Sequence, residues 1–561
     1  MCGQDTSDPP GPKGIDSTPF ESSGRIQSQQ GSRGVYNGLS LQYRFTSGRY
    51  RNPQSRHRQK AGSTLAQVFS PQKDTMSRLN PYVALLTLIA TLGGLLFGYD
   101  TAVINGAVDS LKAYFIDPRF ANLANPAQAN AANSLLGFVV SSALIGCIIG
   151  GLFGGWVSTH VGRKRGLIIA AVLFLISALG ASAPEFPFAP IGHGGSGYMA
   201  NFVFYRILGG IGVGLASMLS PMYIAEIAPP KIRGNLVAWN QFAIIFGMMV
   251  IYFVNFGISK SGSGDAWLNT IGWRYMFLSG AIPAGLFLLL LFLVPETPRY
   301  LMLKGDESGA RAVLAKLVTK EEGDRELGEI RASLSQHHSG KMLSFGGMVI
   351  FIGLMLSIFQ QFVGINVVLY YATDIFKGMG LTTNASLFQT IIVGAVNLVF
   401  TIVAIVTVDH FGRRPLMIIG ALIMAVSMVA LGTDFWVGGK GMVALVAMLV
   451  YTAGFAMSWG PVTWVLLSEI FPNQIRGKAM ALAVAMQWIA NYLVSWTFPI
   501  LDKNPYLVSH FNHGFAYWIY GVMGVLAAVF MAKFVPETKG RSLEQMEALW
   551  LTHGKASVVA K

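Results

Sequence analysis

The sequence predicts an all-α membrane protein, with twelve transmembrane helices in two pseudo-symmetric six-helix bundles joined by a short cytoplasmic helical linker. Three observations carry the prediction. The 561 residues have a mean hydropathy of +0.49, with 52% hydrophobic and only 12% charged residues, against roughly 25% charged in an ordinary soluble domain. Beyond residue 80, apolar runs near the ~20 residues that a spanning helix needs recur twelve times. Finally, the loop motifs that follow runs in the first six reappear after the corresponding runs of the second six.

Each element has its own signal. The apolar segments lie near 81–106, 133–157, 165–182, 199–220, 236–257, 273–294, 343–371, 384–408, 415–433, 441–468, 476–499 and 513–535. Between the sixth and seventh, Glu321, Glu322, Asp324, Arg325, Glu326, Glu329 and Arg331 alternate with helix formers. That is the pattern of short amphipathic helices lying at a membrane surface. The resulting organisation is a tail over 1–75, an N-terminal bundle over 76–298, a linker over 299–342, a C-terminal bundle over 343–540 and a second tail over 541–561. Residues 1–75 are rich in Gly, Ser, Gln and Arg with little apolar periodicity, which predicts disorder. A dispensable tail, sequence upstream of a start at Met76, and an Arg/Ser-rich transit peptide all fit that composition.

The net charge of +14 does not imply nucleic-acid binding once its distribution is read. Residues 1–80 hold eleven Lys/Arg against five Asp/Glu. Elsewhere the excess sits in short loops: Arg163, Lys164 and Arg165 after segment 2, Lys231 and Arg233 after 4, Arg413 and Arg414 after 8, Arg476 and Lys478 after 10. The alternate loops carry Asp109, Asp117, Glu185, Asp265, Asp374, Asp434 and Asp502. The positive-inside rule then places both termini and the linker in the cytoplasm of a multi-pass protein of the cell (inner) membrane. Cys2 and Cys147 are the only cysteines and the nine His have no ligand spacing, so neither a disulfide nor a metal site is expected. No Gly-x-x-x-x-Gly-Lys-Ser/Thr occurs, which argues against driving by ATP. No cofactor is expected.

Internal repetition indicates duplication. Val161-Gly162-Arg163-Lys164 recurs as Phe411-Gly412-Arg413-Arg414, 250 residues later. Glu226-Ile227-Ala228-Pro229 with Arg233-Gly234 recurs as Glu469-Ile470-Phe471-Pro472 with Arg476-Gly477, 243 residues later, and Pro295-Glu296-Thr297 recurs as Pro536-Glu537-Thr538. Six is even, so the copies face the same way, and a substrate site is expected between them near the midplane. The paired basic loops either orient helices only or also latch one conformation through carboxylates. Repetition of the whole pattern favours a latch made by Arg163, Glu226, Arg233, Asp409, Arg413, Glu469 and Arg476.

Two charges fall within apolar segments: Asp100 in segment 1 and Arg206 in segment 4. Each costs at least ~2.5–3.5 kcal/mol at membrane depth, so a partner or a wet cavity is expected. Their opposite signs make them partners, as a static ion pair or as a proton site in which helix movement lets Asp100 load and unload. A third group is polar and neutral: Asn240 and Gln241 in segment 5, Gln360, Gln361 and Asn366 in 7, Asn397 in 8, Trp459-Gly460-Pro461 in 10, and Gln487-Trp488 in 11. Amides offer a donor beside an acceptor, which suits vicinal hydroxyls, and aromatic faces cover the apolar side of a sugar ring. Any one of these amides could instead bridge helices. The set points to a neutral polyol site. In an unbroken helix Gln361 and Asn366 would diverge by about 140°, so a shared ligand requires a break, and Gly364 is placed for one.

These motifs resemble those of the sugar porters of the major facilitator superfamily. The likeness lies in Gly93-Gly94-Leu95-Leu96-Phe97-Gly98-Tyr99-Asp100, Asn240-Gln241-Phe242, Gln360-Gln361-Phe362-Val363-Gly364-Ile365-Asn366 and Ser458-Trp459-Gly460-Pro461, and extends over all twelve segments. The resemblance implies the major facilitator fold and sugar hydrogen bonding by Gln241, Gln360, Gln361, Asn366, Trp459 and Gln487. Phe97, Tyr370, Asn397 and Trp488 would line the site, and Asp100 and Arg206 would couple protons. The implied activity is transport and not catalysis: import of a monosaccharide, D-xylose first, by proton symport, with a facilitative or proton-coupled hexose carrier as the alternative. The implied partners are the sugar, the proton and the bilayer, and the chain would act as a monomer. Met248 departs from the pattern of a xylose-carrying member of the family, which resembles Phe-Gly-Gln there, and this bears on substrate rank.

Overall fold

A computed structural model describes residues 80–551, apart from 194, 230–231, 263, 336–344, 440–441, 473, 540–544 and 547–548. The 1–75 tail, Lys231 and most of the 541–561 tail lie outside the described residues. Every regular element among the described residues is a helix. Six span the N-terminal half: α1 Pro81–Gly106, α2 Pro126–His160, α3 Arg163–Ser182, α4 Gly195–Ile227, α5 Arg233–Ser261 and α6 Asp265–Leu291. Three short helices follow, α7 Pro298–Leu303, α8 Glu307–Leu317 and α9 Lys320–Ser335. The C-terminal half contributes α10 Gly347–Gly378, α11 Thr383–Ile405, α12 Arg413–Trp436, α13 Met442–Ile470, α14 Arg476–Asp502 and α15 Phe515–Phe534.

Helix lengths exceed the apolar runs where caps permit. α2 begins seven residues before its apolar segment because Asn125 accepts from Ala127 N and Pro126 occupies the first turn. Hydropathy reads the depth of the membrane, not the length of the helix. Asn80 accepts from Tyr82 N to start α1, while its Nδ2 donates to the carbonyls of Lys316 and Leu317 at the end of α8, pinning the linker to the first span.

Small residues set the packing. A Cβ on Gly146 would lie 2.0 Å from the Ile207 carbonyl and one on Gly210 1.8 Å from that of Ala143, so α2 and α4 touch backbone to backbone. Between the halves, α2 packs on α14 and α5 on α11. Two spans are broken. α10 stops at Phe362 and restarts at Ile365 through Gly364 at φ +94°, a conformation that favours glycine. α13 is interrupted at Ser458, and this second break was not expected from sequence although Pro461 can donate no backbone hydrogen bond across it.

A buried ion pair stiffens one end of the N-terminal bundle. Arg274 Nη2 lies 2.6 Å from Glu185 Oε1, Tyr114 donates to the same oxygen at 2.7 Å, and the guanidinium stacks on the Trp273 and Tyr114 rings. Burial pushes the Glu185 carboxyl up, but the hydrogen bonds from Arg274 and Tyr114 outweigh it and hold the group below its usual range. Burial and the neighbouring carboxylate push the Tyr114 phenol up to about 12.

Candidate functional site

The repeated loops form matching charge clusters at one end of the molecule, the basic face. Arg163 Nη2 pairs with Glu226 Oε1 at 2.8 Å, and Arg413 Nη2 with Glu469 Oε1 at 2.9 Å. Glu296 accepts from the Arg163 amide and Glu537 from the Arg413 amide, each at 3.1 Å. The Thr297 and Thr538 hydroxyls donate to Glu226 and Glu469. Each cluster lies within its own half. The Pro-Glu-Thr repeats therefore belong to the clusters, a role that their recurrence at a similar offset, 241 residues, could have signalled. Arg233 does not join the first cluster but donates to Glu326 of α9 at 3.2 Å. Burial raises the Glu326 carboxyl above its ordinary range, and Arg233 offsets only part of that. Arg476 Nε donates to the Phe471 carbonyl. The side chain of Asp409 lies outside the described residues.

Asp100 and Arg206 meet. Arg206 Nη1 donates to Asp100 Oδ1 at 3.1 Å and Nη2 to the Asp100 carbonyl at 3.3 Å, with the guanidinium 5.3 Å from the Phe277 ring centre. Arg206 is 1% exposed, so the pair is deeply buried.

The amides of the C-terminal half also converge. With α10 broken at Gly364, Asn366 Nδ2 donates to Gln361 Oε1, and Gln361 Nε2 donates to Gln360 Oε1 at 3.3 Å. Gln360 Nε2 reaches the Trp459 carbonyl at 2.9 Å, which ties the break in α10 to the break in α13. The Trp459 indole N–H donates to the Met417 carbonyl at 2.9 Å. Phe97 of α1 and Trp488 of α14 stand 5.5 Å apart across the halves. Tyr370 receives a hydrogen bond from Asn491 at 3.4 Å. Gln241 is half-buried on α5 and Asn397 buried on α11, the helix packed against it. Gln487 Oε1 is buried without a hydrogen-bond partner among the described residues. Asn491 was missed in sequence, yet Gln487, Asn491 and Ser495 recur every four residues and make one polar stripe on α14.

The face opposite the basic one is sealed by bonds between the halves. Asn105 Nδ2 and Tyr252 Oη both donate to the Leu369 carbonyl in the second part of α10, at 2.9 and 3.0 Å. Lys377 pairs with Asp109 at 2.6 Å, Asn133 donates to the Lys503 carbonyl at 3.0 Å, and Trp496 donates to the Ser134 carbonyl at 3.2 Å.

Two related six-helix bundles, polar groups at the breaks of their helices and a charge pair at membrane depth define a secondary membrane carrier. A family profile described as "Sugar (and other) transporter" matches residues 86–550. The D-xylose-proton symporter of Escherichia coli is 61% identical over 477 residues, which cover 84% of this chain and 96% of that protein. The glucose facilitated diffusion protein of Zymomonas mobilis is 43% identical over 471 residues, 83% of this chain and 97% of that one. A solved inward-open structure of the Escherichia coli xylose transporter superposes with a TM-score of 0.75 at 58% identity, covering 84% of this chain and all of that one. The chain belongs to the sugar porter family of the major facilitator superfamily.

Proposed function

We propose that this chain imports D-xylose together with a proton across a bacterial inner membrane, by alternating access about a site between its halves. The carrying observation is that α1 bears both elements. Asp100, paired with buried Arg206, lies one turn from Phe97, which meets Trp488 on the amide-bearing α14. A charge this costly in a bilayer is retained where it does work. The symporter named above, 61% identical, supports both the sugar and the coupling ion.

The positive-inside rule makes the basic face cytoplasmic, with both termini on that side. The bonds of Asn105 and Tyr252 to α10, and of Lys377 on α10 to Asp109, then close the outside, and the arrangement described is inward-facing. From outside, protonation of Asp100 loosens its hold on Arg206 and permits sugar to bind. Gln241, Gln360, Gln361, Asn366 and Gln487 take the hydroxyls; Phe97, Tyr370, Asn397, Trp459 and Trp488 shape the cavity. The halves rock, and sugar and proton leave to the cytoplasm. The clusters around Arg163–Glu226 and Arg413–Glu469, with Arg233 and Arg476, form the latch, which holds the cytoplasmic loops of each half and, through Glu326, the linker. Each chain carries a whole site between its own halves, which supports action as a monomer. Glucose is the second reading, favoured by the apolar side chain of Met248 on α5.

The test is uptake by the full chain in liposomes. Xylose entering with alkalinisation of the medium, and losing to excess xylose before glucose, galactose or arabinose, is the expected result. Uptake without a pH change would leave a facilitative carrier, and xylose that neither enters nor competes would overturn the substrate.

A further inference from the structure

A cavity of about 200 Å³ lies between the halves on the face opposite the basic one. A cavity of ~150 Å³ accommodates benzene, so this one has room for a ring bearing hydroxyls. One wall comes from the end of α1, the turn after it and the start of α6; the other comes from the last turns of α10 and the first residue of α11. None of the side chains assigned above to sugar lines it, so it is a separate chamber. Its floor is fixed by internal bonds. Asn105 and Ser110 are each 1% exposed; Thr373 donates to Asn105 Oδ1, and Ser110 to Asn269 Oδ1 at 3.0 Å. In the walls each carboxylate uses one oxygen within the protein. Asp109 Oδ2 meets Lys377 and Asp374 Oδ2 meets Lys503, both at 2.6 Å, while Asp265 Oδ1 accepts from Thr383 at 2.9 Å. The second oxygen of each, and Asn269 Nδ2, have no hydrogen-bond partner among the described residues.

This lining selects the chemistry of a ligand. Three carboxylates against one ammonium repel an anion. Among the described residues no three His, Cys, Asp or Glu are grouped to hold a metal ion, and the Lys377 ammonium opposes any cation. A neutral molecule that both donates and accepts fits. Its hydroxyls donate to the spare carboxylate oxygens and accept from Asn269 and Lys377. Val108 and Leu268 offer apolar surface to its C–H groups. We propose that this cavity is a second monosaccharide site, formed while the outside is closed, through which sugar holds the carrier closed. The proposal rests on the reading that the basic face is cytoplasmic and that the halves rock. Asp109, Asp265 and Asn269 belong to one half, and Asp374, Lys377 and Thr383 to the other. Parting the halves divides the site, so bound sugar favours the closed form by a factor that grows with its concentration. The factor is about two at the dissociation constant and about ten at nine times that concentration. External sugar at high concentration therefore slows its own uptake.

The experiment places the full chain in liposomes preloaded with xylose and measures initial counterflow against external labelled xylose. Equilibrium dialysis of the purified protein counts bound xylose in parallel. Asp265→Ala and Asn269→Ala each remove a group that would hold the sugar. Thr383→Val removes the bond between the halves that Asp265 accepts and leaves the carboxylate in place. Wild type should bind two xylose per chain, and its counterflow should rise, peak and then fall at least about twofold. Asp265→Ala should weaken the second site at least about tenfold and Asn269→Ala about fivefold, as expected for one hydrogen bond to a charged and to a neutral group. Both should keep the first site and show counterflow that saturates without falling over the same range. Thr383→Val should keep the falling branch. One xylose per chain with simple saturation, a falling branch that survives both wall variants, or its loss in Thr383→Val as in Asp265→Ala would each overturn the outer site. Wild type that exchanges no xylose at any concentration would instead overturn the carrier reading, and dialysis would still decide whether the outer site exists.

Discussion

Replacing Asp100 by Asn separates coupling from carriage. Asn keeps an oxygen for Arg206 Nη1, now 3.1 Å from Oδ1, and the backbone carbonyl that accepts from Nη2 at 3.3 Å is unchanged. What is lost is the negative charge beside a guanidinium that is 1% exposed. Breaking a buried pair costs about 3–5 kcal/mol, and the two retained hydrogen bonds place this variant near ~3 kcal/mol. The effect on transport is larger and follows from energetics alone. One proton moving down 100 mV and one pH unit yields ~2.3 and ~1.4 kcal/mol, enough to sustain roughly 500-fold accumulation of a neutral sugar. Labelled xylose in liposomes with an imposed gradient measures that ratio, and counterflow with thermal unfolding reports whether the variant is folded. The expected result is accumulation falling to unity while counterflow persists. An Asp100→Asn variant that still accumulates xylose, or wild-type accumulation that survives a protonophore, would refute the assignment.

Gly364→Ala places a Cβ 2.8 Å from Tyr520 Cγ in left-handed backbone that costs about 1–2 kcal/mol by itself, so Gln361 and Asn366 part. Calorimetry should show xylose binding weakened at least about tenfold, and unchanged affinity would deny the break its role. His513 lies 3.3 Å from Asp502, whose hydrogen bond raises the imidazole above its ordinary value. Its stabilisation is complete below the unfolded value near ~6.5 and is lost as pH rises through the raised one. His513→Gln should lower the unfolding temperature by roughly 1–2 °C at pH 6 and by nothing measurable at pH 9; an equal loss at both would assign the effect to packing with Phe435. Met248→Gln restores an amide on α5 and should raise xylose preference over glucose by roughly tenfold in competition; an unaltered ratio would remove Met248 from specificity.

The membrane made the fold legible. Only helices satisfy their backbone within hydrocarbon, so hydropathy located twelve spans, and recurring loops located the duplication. The break at Gly364 was also legible, because two amides five residues apart had to meet. Partners chosen in three dimensions were not. Nothing near Trp459 in sequence indicates that its N–H belongs to Met417, and nothing near Arg233 indicates that Glu326 of the linker will claim it. The seal made by Asn105, Tyr252 and Leu369 joins residues 117 and 264 positions apart, through a backbone carbonyl that has no sequence signature.

On the proposed reading, the first span of one half serves the proton and its counterpart in the other half serves the sugar. Gly98-Tyr99-Asp100 on α1 resembles Gly364-Ile365-Asn366 on α10, each on the first span of its half, at an offset of 266 where the loop repeats lie at 241–250. At Gly98 the helix runs on, because the absent Cβ leaves room for the Ile244 carbonyl, which a Cβ would approach to 1.8 Å. At Gly364 the backbone turns left-handed under the Tyr520 ring and the helix parts. The same motif therefore holds an acid rigidly against Arg206 in one copy and frees an amide toward a polar cluster in the other. The arginine has no counterpart, since the position 243 residues after Arg206 is Leu449. An asparagine at Asp100 would keep hydrogen bonds to Arg206 but leave its buried charge without a counter-charge. The two copies of the motif are thus not interchangeable, and in the proposed cycle rocking the halves moves the charged copy and the neutral one together.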